Sequence, residues 1–156
     1  MITHLNKKNK PQIIDISTKE ITHRCAIAEG SIKFSKKTFK KIEKMQTKKG
    51  EVTSVAILAG IMGAKKTSDL IPLCHKIDIA NVDIKITTKK ELSCLVVTAL
   101  VKSNSKTGVE MEALTAVSIS CLTIYDMCKS LDKDIIINKI KLISKKGGKS
   151  NFLKKY

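Results

Sequence analysis

Residues 113–125 carry no charged side chain, in a chain where 28% of residues are charged and lysine recurs almost everywhere else. Ala113, Val117, Cys121 and Ile124, continued by Cys128 and Leu131, fall at three- and four-residue spacing, the period of one helix face. The other faces of this stretch lack charge too, so a helix here has to bury most of its circumference. That requires a sheet on one side and a further helix or a second subunit on another. Thr107 and Glu110 match a T-x-x-E capping box, in which each side chain satisfies a free backbone amide at a helix start. The pattern predicts a helix over residues 109–133.

Alternating or β-branched residues predict strands at 22–34, 77–88, 92–102 and 135–143, with a short helix at 36–45. A second helix is expected at 51–66, where Val52, Val55, Ala56, Ala59 and Ala64 keep helical spacing. Pro72 pushes the residue before it out of the helical region, so residues 69–75 read as a loop. Strand, helix, strand, strand, helix, strand is the split-βαβ order of ferredoxin-like folds, an α+β sandwich on an antiparallel sheet. Helices cover one face of such a sheet; extra helices or a second subunit are expected on the other, and the uncharged helix predicts oligomerisation. No repeat or linker divides the 156 residues, so one domain is expected over 14–150, with loose ends at 1–13 and 151–156.

Composition narrows the function. No apolar run approaches the roughly 20 residues that cross a bilayer, and no apolar stretch follows the Lys-rich start, so the cytoplasm is the expected location. Five widely spaced cysteines, none in a C-x-x-C, suit free thiols. Zinc needs four convergent ligands, and His23 with Cys25, or Cys74 with His75, supplies only fragments. The net charge of +16 looks like a nucleic-acid footprint, but Arg24 is the one arginine among 30 basic residues. Base readout favours bidentate arginine and single-strand binding favours aromatic platforms. A dedicated nucleic-acid role is therefore not favoured.

Several segments are suited to anion or proton chemistry. Lys106, Thr107 and Gly108 precede a helix start, where free amides and the helix dipole attract phosphate; a turn completed by Glu110 explains the same residues. Glu112 is less easily assigned to capping, and paired carboxylates near lysines can act as acid and base. Asp126 and Lys129 reappear after the uncharged stretch, either as a solvated i,i+3 pair or as charges facing a cleft. His75 falls on the 69–75 loop, where a polar role is favoured over a core one. The run Lys145, Lys146, Gly147, Gly148, Lys149, Ser150 lacks the first glycine of a Walker loop and a following helix, so a Walker-type ATPase is excluded. Its paired glycines still suit a turn closing over polyphosphate. Arg24 suits a place where a planar fork is needed.

Together, DLIPLCH at 69–75, KTGVEMEALTA at 106–116, LTIYDMCK at 122–129 and GGKS at 147–150 resemble the cyclic pyranopterin monophosphate synthase family of molybdenum cofactor (molybdopterin) biosynthesis. The resemblance runs in order over about residues 14–150. It implies a ferredoxin-like subunit in a homohexamer, a trimer of dimers, with active sites at subunit interfaces. It also implies a lyase of the phosphorus–oxygen type. A cyclised dihydroguanosine triphosphate, derived from GTP, is rearranged to cyclic pyranopterin monophosphate with release of pyrophosphate. No redox cofactor is implied, no protein-bound metal is expected, and Mg²⁺ is the metal a triphosphate would bring. By motif match, Asp126 is the implied catalytic acid/base, with Lys129 its neighbour and Lys49 a further catalytic residue. Leu73, Cys74, His75, Met111 and Glu112 carry over as substrate contacts, Glu110 with them, and Arg24, Lys145 and Lys149 as cations opposing the triphosphate. Lys76 stands where the family usually has proline, Glu51 where it has aspartate, and Thr53 where an aromatic is common; none of these is a residue assigned to catalysis.

Overall fold

A computed structural model of the chain describes residues 4–6, 8–46 and 50–155. Strand β1 is Thr22–Lys33, followed by helices α1 (Lys36–Gln46), α2 (Gly50–Lys65) and the single turn α3 (Thr67–Leu70). Strands β2 (Ile79–Lys89) and β3 (Cys94–Ser105) form a hairpin closed by a short 3-10 turn, with Ser93 in the left-handed region at φ 50°. Helix α4 (Glu110–Cys128), β4 (Ile136–Lys146) and a short β5 (Phe152–Leu153) complete the chain. The sheet order is β2-β3-β1-β4-β5, antiparallel throughout, so the ferredoxin-like α+β expectation holds.

Period-two alternation decides which face is covered. Ala26, Ala28 and Ile32 of β1 and Leu95, Val97, Ala99 and Val101 of β3 point to the helices and are buried. Fully burying Ile32, Leu95 or Ile124 contributes about 2 kcal/mol each. Helix α4 packs across β1, β3 and β4, and α2 packs on α4 and β2, so both long helices share one face. Alternate residues such as Ile27, Val96 and Leu100 on the other face stay half-exposed, with the Glu29–Lys141 ion pair (3.3 Å) among them. Small residues let α2 approach α4 closely. A Cβ on Gly60 would fall 2.9 Å from the Ala116 carbonyl, and Ser120 Oγ donates to the Ala56 carbonyl at 2.9 Å.

By length and composition α4 is apolar enough to cross a membrane, but half of it is buried against α2 and the sheet. It is the core helix that its charge-free stretch requires.

Three expectations change. Helix α4 starts at Glu110 behind Val109 (φ −112°, ψ 26°) with no side-chain cap, because Glu110 turns to Lys145 instead of closing a box with Thr107. It ends at Cys128, not 133; Asp132 accepts the amides of Ser35 and Asp134 (3.0 and 2.9 Å), which pulls the chain out of the helix and fixes the start of α1. Asp69 and Leu70 lie in α3, held by the buried Thr67 hydroxyl donating to the Ala64 carbonyl (2.9 Å); the loop begins at Ile71. Phe152 and Leu153 pair with Lys145 and Ser144, and Leu5 bridges to Pro11 around a turn closed by Asn6.

Candidate active site

The sheet brings Arg24, near the start of β1, beside Lys145 and Lys146, at the end of β4. The chain then turns at Gly147, whose φ of +92° suits glycine, and a Cβ there would run into the His23 carbonyl. Thr22 Oγ1 donates to the Gly147 carbonyl (2.7 Å) and the Gly147 amide donates to Asn151 Oδ1 (3.2 Å), so the 147–151 turn is closed on both sides. A Cβ on Gly148 would lie 2.7 Å from the Arg24 guanidinium. Arg24 Nε and Nη2 donate to the carbonyls of Ser105 and Lys106 (3.2 and 3.3 Å). The planar fork spans two consecutive carbonyls, a task lysine cannot share.

These elements surround a cavity of about 240 Å³ into which Lys19, Arg24, Lys106, Lys145 and Lys149 converge. Glu110 is the acid among its lining residues and is paired with Lys145 at 2.9 Å. Cations around amides at a helix start make an anion cavity.

Thr107, Gly108 and Glu110 also line a second cavity of about 290 Å³, whose far wall is Leu73, Cys74, His75 and Ile77. Met111 and Glu112 enter it from the first turn of α4. His75 Nε2 lies 2.8 Å from the Ile14 carbonyl, which can only accept, so Nε2 is the donor. Glu112 is 3% exposed, and its Oε2 has no hydrogen-bond partner. Burial pushes its carboxyl up to about 7; its own backbone amide opposes this and the charge of Glu110 adds to it. A carboxyl poised there can give or take a proton near neutrality. Burial, then Glu112, also raises the Cys74 thiol, so Cys74 is a neutral wall and not a nucleophile.

Asp126 and Lys129 line neither cavity. They form an ion pair (2.6 Å) with side chains 70% and 60% exposed, and the hydrogen bond from Lys129 to Asp126 raises the lysine. Asp126 is fourteen helix steps beyond Glu112, about 21 Å along the helix. The fold thus joins Arg24, Lys145, Lys149 and Glu110 to Leu73, Cys74, His75, Met111 and Glu112, and leaves Asp126 and Lys129 apart. Lys49 lies outside the described residues. Lys19 and His4 line the cavities without having been singled out from the sequence; Lys19 is one lysine among many, and His4 sits in a segment that reads as loose. Among the described residues no three His, Cys, Asp or Glu side chains are placed to hold a metal.

Comparison with known proteins identifies the family. The chain matches the MoaC family over residues 13–148. It is 51% identical over 150 residues to the cyclic pyranopterin monophosphate synthase of Helicobacter pylori strain G27, covering 96% of this chain and 95% of the relative. It is 48% identical over 149 residues to the proteins of that name from Heliobacterium modesticaldum and Cereibacter sphaeroides strain KD131, covering 96% of this chain and 94% of each. With residues 13–148 matched to the family and relatives about half identical over nearly the whole chain, the chain belongs to the MoaC family.

Proposed function

We infer that this chain is a cyclic pyranopterin monophosphate synthase of molybdenum cofactor biosynthesis, acting on a cyclised dihydroguanosine triphosphate derived from GTP. The observation that carries the reading is the adjacency of the two cavities across Thr107, Gly108 and Glu110. The triphosphate lies among Arg24, Lys106, Lys145 and Lys149, whose charges oppose the departing pyrophosphate. The guanine-derived ring system lies between Leu73, Cys74 and His75 on one side and Met111 and Glu112 on the other. Ring opening and re-formation need a proton moved at each stage, and Glu112 and His75 are placed to move them. Mg²⁺, where present, rides on the triphosphate.

Asp126 and Lys129 complete the site from a second subunit. Within one chain the length of α4 keeps them away, and the exposed apolar residues Val55, Leu58 and Met62 of α2 and Leu122 of α4 offer a surface for a partner copy. A two-fold interface puts the far end of one α4 near the cavities of the other chain, giving dimers that assemble into a hexamer. In the assembled site Asp126 is the acid/base, Lys129 is its ion-pair partner, and Lys49 adds a further cation. The cytoplasm, where GTP is made and used, is the working compartment.

Purified protein given the cyclised intermediate is expected to yield cyclic pyranopterin monophosphate and one equivalent of pyrophosphate, read by chromatography and phosphorus NMR. Absence of both products from intact oligomer would refute the reading.

A further inference from the structure

His4 precedes residues 13–148, over which the chain matches its family. It nevertheless lines the second cavity beside Cys74, His75, Met111 and Glu112. Its Nδ1 is buried and has no hydrogen-bond partner, and the same holds for Oε2 of Glu112. An unpaired buried polar atom costs about 1–3 kcal/mol. Two such atoms in the wall of one cavity are explained if what enters the cavity bonds them.

The segment carrying His4 is fastened to the site. The Gln12 amide donates to the His4 carbonyl (2.9 Å), and Asn6 Oδ1 accepts the amides of Lys8 and Lys10 (2.9 and 3.0 Å) around Asn9, whose φ is 55°. Further along, the Ile14 carbonyl accepts a hydrogen bond from His75 Nε2, and Lys106 Nζ donates to the Ser17 carbonyl (2.5 Å). Through His4 and Lys19 the described residues of this segment reach both cavities, and Ile14 and Ser17 tie them to a residue from each. The wall around His4 is otherwise largely apolar, with Leu73, Ile77 and Met111. Apolar faces with a few buried hydrogen-bonding atoms suit a flat heterocycle whose edge carries donors and acceptors.

We propose that His4 is a substrate-contacting residue that hydrogen-bonds the polar edge of the guanine-derived ring system in the cavity it shares with Glu112. This rests on reading the second cavity as the ring half of the site. An imidazole lining that cavity raises the affinity for the ring, by turning to meet it, and leaves the phosphate half untouched.

Steady-state kinetics of His4→Ala is expected to show KM raised about tenfold, as loss of one buried hydrogen bond predicts, with kcat changed less than threefold and inhibition by inorganic pyrophosphate unchanged. His4→Gln, which keeps a hydrogen-bonding side chain, is expected to recover part of the loss. A KM within twofold of the parent in His4→Ala overturns the proposal. The unaltered protein gives an independent reading. The chain has three histidines, and on titration with GTP the ring nitrogen resonances of His4 and His75 are expected to shift together. A His4 resonance that stays fixed while His75 moves also overturns the proposal. If the unaltered protein makes no product yet GTP moves His4, the synthase reading fails and the contact stands; normal turnover with an indifferent His4→Ala and a fixed resonance has the opposite meaning.

Discussion

Lys145 Nζ lies 2.9 Å from Glu110 Oε1, and this pair sits where the two cavities meet. Both side chains are about one-third exposed or less, so the pair is partly screened, and such pairs contribute about 0.2–1 kcal/mol. Glu110 opposes the entering phosphates by occupying one of their cations. Removing its charge frees Lys145. Glu110→Gln is expected to tighten inhibition by pyrophosphate about two- to fivefold at low salt, with the gain fading as salt rises. Calorimetric titration at two ionic strengths checks this, and weaker binding in the variant would mean that Glu110 orders the cavity more than it opposes anions.

Glu112 makes stability depend on pH in an unusual direction. Its carboxyl titrates at about 7 in the fold against 4.5 when unperturbed, because burial penalises the charged form. Below pH 4.5 the group is protonated folded and unfolded alike. Between 4.5 and 7 the unfolded chain releases the proton first, so stability falls as pH rises, and above 7 the whole cost, about 2–3 kcal/mol, is present. Glu112→Gln is expected to unfold about 5–10 °C above the parent at pH 8 and level with it at pH 4.5. Equal unfolding temperatures at both pH values would show that this carboxyl is not held in its protonated form.

Much of the fold was legible because it rests on local periodicity. The charge-free stretch marked α4, and alternation marked β1 to β4 within a few residues. What escaped depends on partners distant in sequence. Thr107 and Glu110 have the spacing of a capping box, yet Lys145, a neighbour only through the sheet, draws Glu110 away. Thr67 forms the extra turn by a buried bond to Ala64, and the two paired residues of β5 are too few to show a pattern. In the site, motif resemblance supplied the residue identities, while the separation of Glu112 from Asp126 follows from the rise of α4 and was not drawn from the sequence. His4 gave no signal, since nothing local shows that a polar terminal segment folds back onto a cavity.

The crossing of α2 and α4 leaves no room at Gly60. A Cβ there would meet the Ser120 hydroxyl, lie 2.6 Å from Ile84 Cδ1 and lie 2.9 Å from the Ala116 carbonyl. The backbone carbonyl cannot swing aside, so the helices would have to separate. Gly60→Ala is expected to cost about 1–3 kcal/mol despite the better helix propensity of alanine, and to lower the unfolding temperature by about 3–10 °C. Thermal unfolding followed by circular dichroism measures it, and an unchanged or higher midpoint would show that α2 approaches α4 less closely.

A site shared between subunits has a consequence that no single-chain site has. Asp126→Asn removes the acid/base from the far end of α4, and His75→Ala removes a wall of the second cavity; each alone is expected to fall to about one-hundredth of parent activity or less, the usual contribution of a positioned acid/base. Neither should disturb assembly through lost packing, since Asp126 is 70% exposed and His75 lies in a half-exposed loop. When the two variants are unfolded together and reassembled, half of the two-fold pairs should be mixed. In a mixed pair one site takes both intact residues and the other takes neither, so activity should return to about a quarter of the parent value. Mixing without unfolding should give less, set by the rate of subunit exchange. If activity stays at the level of the single variants although mass spectrometry confirms mixed pairs, Asp126 and His75 act within one chain, and α4 must then be broken or bent in the working enzyme.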